Sequence, residues 1–187
     1  MIAETDQSLG FWYSPSNKPV PNILGTDRPI DYRRGDQYCS ANVLNQVNIA
    51  TIINQPGQGF TLWGNLATSG NFLVQRRIAD IIEDSIADSM TWAIDRPINR
   101  TYLEDVSAKV NSYLSTLQAL GAIIDGKCWP DPVLNTPNVM ASGTVYFNFD
   151  FVGPYPAQTI VFQVAVNNGY LSEIVSSGSN TLSPSGL

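Results

Sequence analysis

The stretch Ile78-Ala79-Asp80-Ile81-Ile82-Glu83-Asp84-Ser85-Ile86-Ala87-Asp88-Ser89-Met90 decides how this chain is built. Ile78, Ile82, Ile86 and Met90 recur every four residues, and Ile81 and Ala93 widen the apolar stripe, which is the period of a helix with one buried side. Asp80, Glu83, Asp84 and Asp88 crowd the other side. A second helix follows. Leu103, Val106, Val110, Tyr113, Leu114, Leu117 and Leu120 make one continuous apolar face, while Asp105 and Lys109 stand four apart on the solvent side. Thr101 and Glu104 have the spacing of a capping box at its start, and Gly121 is a natural stop at its end. The connector Asp95-Arg96-Pro97-Ile98 is too short for another element, so the helices over 75–93 and 101–120 are expected to lie antiparallel.

Elsewhere the period changes to two. Val145, Phe147, Phe149 and Phe151 alternate with Tyr146, Asn148 and Asp150, and Ile160, Phe162, Val164 and Val166 share a face within Thr159–Val166. Gly153-Pro154-Tyr155-Pro156 joins these two runs, which predicts a late antiparallel hairpin. An earlier hairpin is expected where Val47–Ile53 and Phe60–Trp63 flank Gln55-Pro56-Gly57-Gln58-Gly59. The first forty residues read as extended chain and turns, with Pro15 and Pro19 each excluding a continuing helix and a short strand expected within Gly25–Tyr32; Ala41–Gln46 reads as one helical turn. The helical stripes and alternating strands must bury their apolar faces on one another. The expected fold is therefore α+β: a small, mostly antiparallel sheet packed against two antiparallel helices, with an extended terminal arm. The domain spans residues 1–168. Residues 169–187 form the arm, with Tyr170, Leu171, Ser172, Glu173, Ile174 and Val175 as one more strand and a Ser/Gly-rich flexible tail from Ser176.

The chain contains no histidine, which removes Ser-His-Asp and Cys-His catalysis outright. Its two cysteines, Cys39 and Cys128, lie far apart in sequence and read as ordinary reduced thiols, too few for a zinc site without histidine. Gly121-Ala122-Ile123-Ile124-Asp125-Gly126-Lys127-Cys128 has the G-x-x-x-x-G-K spacing of a phosphate-binding loop. That motif needs a strand before it and a helix after it. Here a helix end precedes it and Trp129-Pro130-Asp131-Pro132 follows, so the segment reads as a turn between a helix and a strand. Catalytic residues, cofactor ligands and metal ligands are therefore all assigned as none.

The net charge of −6, with only Lys18, Lys109 and Lys127 as lysines, leaves no basic footprint for nucleic acid or an anionic membrane. No apolar run approaches the roughly 20 residues of a membrane helix. Charged residues make up 14% of the chain against a usual value of about 25%, which suggests that other protein covers part of the surface. Trp12, Trp63, Trp92 and Trp129 read as core edges or subunit contacts. Asp80, Asp84 and Asp88 read either as a solvated face or as a contact surface for a basic partner.

Several words in the sequence carry a resemblance. Gly10-Phe11-Trp12-Tyr13-Ser14-Pro15-Ser16-Asn17 resembles the GFW-x-SPSN signature of contractile phage tail sheath proteins, and Leu62-Trp63-Gly64-Asn65 their strand-ending WGN. Arg76-Arg77-Ile78-Ala79-Asp80, Thr101-Tyr102-Leu103-Glu104-Asp105-Val106, Cys128-Trp129-Pro130-Asp131-Pro132-Val133-Leu134-Asn135-Thr136-Pro137, Tyr146-Phe147-Asn148-Phe149-Asp150-Phe151 and Pro154-Tyr155-Pro156-Ala157 continue in family order. The likeness is to the C-terminal domain, nearest to sheaths of simple contractile phages and R-type bacteriocins. Type VI secretion sheaths share the architecture, but the first and fifth words favour the phage branch. The resemblance implies a structural subunit, not an enzyme, assembled in the host bacterial cytoplasm into a virion tail. It further implies hexameric rings around an inner tail tube, contraction that drives the tube through the bacterial envelope, and arms that add strands to neighbours' sheets. On that reading, residues 170–175 are the exchanged strand.

Overall fold

The computed structural model describes residues 1–172 and 174. Its elements are α1 (Ile2–Ser8), α2 (Ser40–Gln46), β1 (Thr51–Gln55), β2 (Gly59–Trp63), α3 (Leu73–Ser89), α4 (Arg100–Ala119), β3 (Asp125–Pro130), α5 (Pro137–Ala141) and β4 (Phe147–Val152). Single 3-10 turns occupy Thr91–Ala93 and Asn168–Tyr170. The chain forms two units, residues 1–156 and 157–187.

Both long helices form where the four-residue period places them, and their faces meet in one core. Val74, Ile78 and Ile82 of α3 and Val110, Leu114 and Leu117 of α4 are buried together with Ala122, Ile123 and Cys128, while Ile86, Met90 and Tyr113 pack on their rim. Burial pushes the Cys128 thiol up, and Cys39 and Cys128 are both free, each in a different core. The end of α4 follows from Gly121, which takes φ +75°. Its amide donates to Gln118 and that of Ala122 donates to Leu117, the paired bonds of a Schellman stop. The start of α4 differs from expectation. Asn99, not Thr101, caps it, accepting from the Tyr102 amide at 2.8 Å, and Glu104 pairs with Arg100 instead of turning back to the backbone. Asn99 already supplies the acceptor, so Thr101 falls inside the first turn.

The late hairpin does not form as expected. Phe147–Val152 is a strand, but its partner is Asp125–Pro130: Asp125 lies opposite Val152, Cys128 opposite Phe149, and Pro130 opposite Phe147. Thr159–Val166 belongs to no strand. Alternation fixes which face of a strand is apolar and says nothing about which strand lies beside it. Here helix α4 leads through a short turn into β3, whose Cys128 is held by the Asn111 side chain of α4, and β4 pairs with β3. Phe147, Phe149 and Phe151 then pack on the two-helix core, as their alternation requires.

Polar side chains organise the connection between β3 and β4. The Asp131 carboxylate accepts from the Val133 and Leu134 amides, both at 2.7 Å, and from the Asn148 side chain at 2.7 Å. Asn135 makes two bonds to the Tyr146 backbone, each 2.8 Å. Thr136 caps α5, with Pro137 in its first turn.

The earlier hairpin is antiparallel as expected, with Ile53 opposite Thr61, although β1 starts at Thr51 rather than Val47. Asn17–Val20 lies along the far side of β2, bonded to Leu62 and Phe60, and Ser16 accepts from the Gly64 amide. Cys39, Ala41 and Ile53 form a second small core under Ile30, Tyr32 and Trp63. Gly25–Tyr32 contains no strand, and Ile2–Ser8, in the stretch expected to be extended, is helix α1, ahead of the first proline. Gly10 adopts φ +109° with the Trp12 ring folded over it, where a Cβ would lie 2.6 Å from the indole.

The bonds from Leu134, Asn148 and Val133 hold the Asp131 carboxyl below the usual carboxylate range. A lowered folded value means that Asp131 adds stability above the ordinary ionisation near pH ~3.9, and that this is lost as pH falls through the folded value. Melting curves of wild type and Asp131→Asn should therefore differ at pH 6 and converge towards pH 2. A constant offset across that range would contradict this account of the turn.

Candidate functional site

Helix α3 carries the acidic stripe on its solvent side. Asp80 is paired with Arg76 one turn earlier, and Arg76 also lies 4.0 Å from Glu83. Asp84 and Asp88 are exposed and form no ion pair among the described residues. The structure therefore separates the three predicted residues: Asp80 is neutralised, while Asp84 and Asp88 project unneutralised charge. Asp88 sits in the last turn of α3, where the helix dipole disfavours negative charge, and Asp84 and Asp88 are like charges four apart. Each effect costs a few tenths of a kcal/mol in the isolated helix.

A second feature lies on the β3–β4 sheet and was not visible as a motif. The Asn111 side chain of α4 accepts from the Cys128 amide at 2.7 Å and donates to the Cys128 carbonyl at 3.0 Å. One side chain thus satisfies both outward backbone groups of Cys128, midway along β3, and the Gly126 amide donates to the Asp125 carboxylate. Because Cys128 turns its polar backbone away from β4, its opposite residue Phe149 must turn away from β3. The same alternation places the N–H and C=O groups of Phe147 and Phe151 on that outer side. No third strand joins β4 among the described residues. The β3 edge is blocked at Cys128 by a side chain of α4; the β4 edge is open. Asn111 could have been suspected only as a polar residue beside the buried stripe of α4.

The second unit supplies the remaining predicted residues. Tyr170 closes the turn capped by Asn167, and Leu171 and Ser172 are helical rather than extended. Glu173, Val175 and everything from Ser176 lie outside the described residues. Before them, Ile160 is 70% exposed, Phe162 83%, Val164 89% and Val166 90%. A run this apolar and this exposed is unusual for a protein that functions alone.

The phosphate-loop spacing has a different structural origin. Ala122 and Ile123 are buried, Lys127 lies within β3, and a turn and strand β3, not a helix, follow Gly121. Only residues 121–124 form the expected turn between a helix and a strand; Asp125, Gly126, Lys127 and Cys128 already belong to β3. Among the described residues no group of three or more carboxylate or cysteine side chains is placed to hold a metal ion. No described helix is long and apolar enough to cross a membrane.

Solved structures share this fold. The PVC sheath complex of an extracellular contractile injection system, in its contracted state, superposes with a TM-score of 0.77 at 20% identity, over 90% of this chain and 49% of that one. The contracted helical sheath of the anti-feeding prophage gives 0.76 at 18% identity, over 88% and 48%. In sequence, a prophage major tail sheath protein of Pseudomonas aeruginosa (strain UCBPP-PA14) is 39% identical over 94% of this chain and 46% of its own length. The tail sheath protein of Escherichia phage P2 is 27% identical over 94% and 45%. The chain therefore spans less than half the length of these relatives. Residues 70–167, more than half of the chain, match the phage tail sheath C-terminal domain. The chain belongs to that family of contractile tail sheath subunits, which are structural proteins and not enzymes.

Proposed function

We propose that this chain is the inner domain of a sheath subunit that polymerises in hexameric rings around a tail tube, and whose contraction drives the tube through a bacterial envelope. One observation carries the reading: a single chain holds both an open strand edge, on β4, and an exposed apolar arm of alternating pattern, Thr159–Val166. An acceptor and a donor in every copy allow each subunit to complete its neighbour's sheet, and such linkage propagates. Main-chain hydrogen bonds hold the added strand, so the link survives rotation of one subunit against the next. Residues 170–175 extend the same arm and belong to the exchanged segment. The particle is a phage or prophage tail assembled in the host cytoplasm.

The acidic face of α3 contacts a basic partner, the tube or an adjacent sheath subunit. What supports this is that Asp84 and Asp88 project charge that no ion pair among the described residues neutralises, four residues apart on one helix face.

Expressed with the remaining length of a sheath polypeptide, the chain should build hollow contracted cylinders visible by electron microscopy. Truncation after Pro156 should leave a folded subunit that builds none. Normal cylinders from the truncated protein would rule out the arm. Replacing Asp80, Asp84 and Asp88 by Asn should reduce extended-sheath assembly at low salt and much less at high salt, because exposed charges are screened within about 8 Å at physiological ionic strength. Equal assembly of variant and wild type at both salt concentrations would return the stripe to a solvated face.

A further inference from the structure

The chain leaves the sheet through Gly153-Pro154-Tyr155-Pro156, and this outlet is held far more tightly than a connection needs to be. The Gln75 side-chain amide, in the first turn of α3, donates to the Gly153 carbonyl and to the Pro154 carbonyl, each at 3.0 Å. Gly153 is buried against the same turn, and a Cβ there would lie 2.5 Å from Ile78 Cδ1. Two residues on, the Tyr155 ring meets Phe72, the cap residue of α3, edge to face at 5.5 Å between centroids. Pro154 and Pro156 fix their own φ angles and push Gly153 and Tyr155 away from helical backbone, so the outlet is stiff as well as anchored. Immediately after it, at Ala157, the second unit begins.

A strand at an open edge is peeled easily when its end is pulled, because its ladder bonds then break one at a time. Fastening residues 153–155 to α3 moves that load off the end of β4 and into the helical core. We infer that Gln75 is a positioning residue: with Gly153 and the Phe72–Tyr155 pair it sets the direction in which the donated arm leaves and anchors the arm against tension. This rests on the strand-donating arm proposed above. A fixed, stiff outlet raises the effective concentration of the arm at its acceptor, since a linker helps most when its geometry matches the span. A loosened outlet spreads the same arm over many directions.

The test is isosteric. Gln75→Glu keeps the shape but places acceptors opposite the two carbonyls that need donors. In sheath polypeptide carrying this change, the protein concentration needed for assembly should rise by about tenfold, as expected when partly buried carbonyls lose their donor. Contracted sheaths should also break into short pieces. Gly153→Ala should act in the same direction by forcing the backbone off Ile78. Val110→Ala, a cavity in the core at a residue not in the outlet, should lower the melting temperature at least as much as either while leaving the assembly threshold unchanged. The proposal is overturned if Gln75→Glu assembles and contracts like wild type, or if thresholds follow melting temperature across all three variants. Truncation after Pro156 separates this from the broader reading. A truncated protein that still assembles removes the arm itself, whereas lost assembly on truncation with a silent Gln75→Glu removes only the anchor.

Discussion

Two hydrogen bonds exchanged between the Asn111 side chain and the backbone of Cys128 decide on which side the β3–β4 sheet can grow. A buried amide and carbonyl left unpaired would each cost about 1–3 kcal/mol, so the outer side of β3 must be satisfied by something. A side chain from α4 does this without adding a strand. The sheet therefore stops on that side, β3 is tied to the helix that leads into it, and growth is possible only beyond β4. The rest follows from this asymmetry. The three phenylalanines of β4 fill the core from one face of the strand, while its backbone edge remains available. A domain that closed both edges would be a better monomer and a poorer building block.

The helices were legible in the sequence because their apolar period is long and uninterrupted, and Gly121 marked the end of α4 for a stated steric reason. β3 was harder to see. Asp125-Gly126-Lys127-Cys128-Trp129-Pro130 has no alternating pattern, since Gly126 and Pro130 occupy the inward positions beside Cys128, and so the strand looked like a turn. With β3 hidden, β4 was matched to the next alternating run, Thr159–Val166. That run has the pattern of a strand, which suits donation to another molecule as well as pairing at home. A single sequence does not separate the two cases, because both require one apolar face.

The words that carry the family resemblance acquire physical roles in the structure. In Cys128-Trp129-Pro130-Asp131-Pro132-Val133-Leu134-Asn135-Thr136-Pro137, Asp131 gathers two amides, Asn135 clasps Tyr146, and Thr136 and Pro137 start α5. In the first word, Gly10 makes room for Trp12, and Ser16 and Asn17 dock the chain on β2. These are turn and docking residues rather than chemistry, which suits a family of structural proteins. The acidic stripe was legible as composition, but its division into a neutralised Asp80 and projecting Asp84 and Asp88 depended on where Arg76 falls, one turn away.

The central claim is that β4 presents an edge which another subunit completes. Amide hydrogen exchange at Phe147, Phe149 and Phe151 addresses it directly, since these N–H groups face the open side. In the isolated chain they should exchange much faster than the amides of Asn148 and Asp150, which face β3. In assembled sheath they should become as slow as those neighbours. Fast exchange at Phe149 in both states would mean that no strand is added there, and slow exchange in both would mean that the edge was never open.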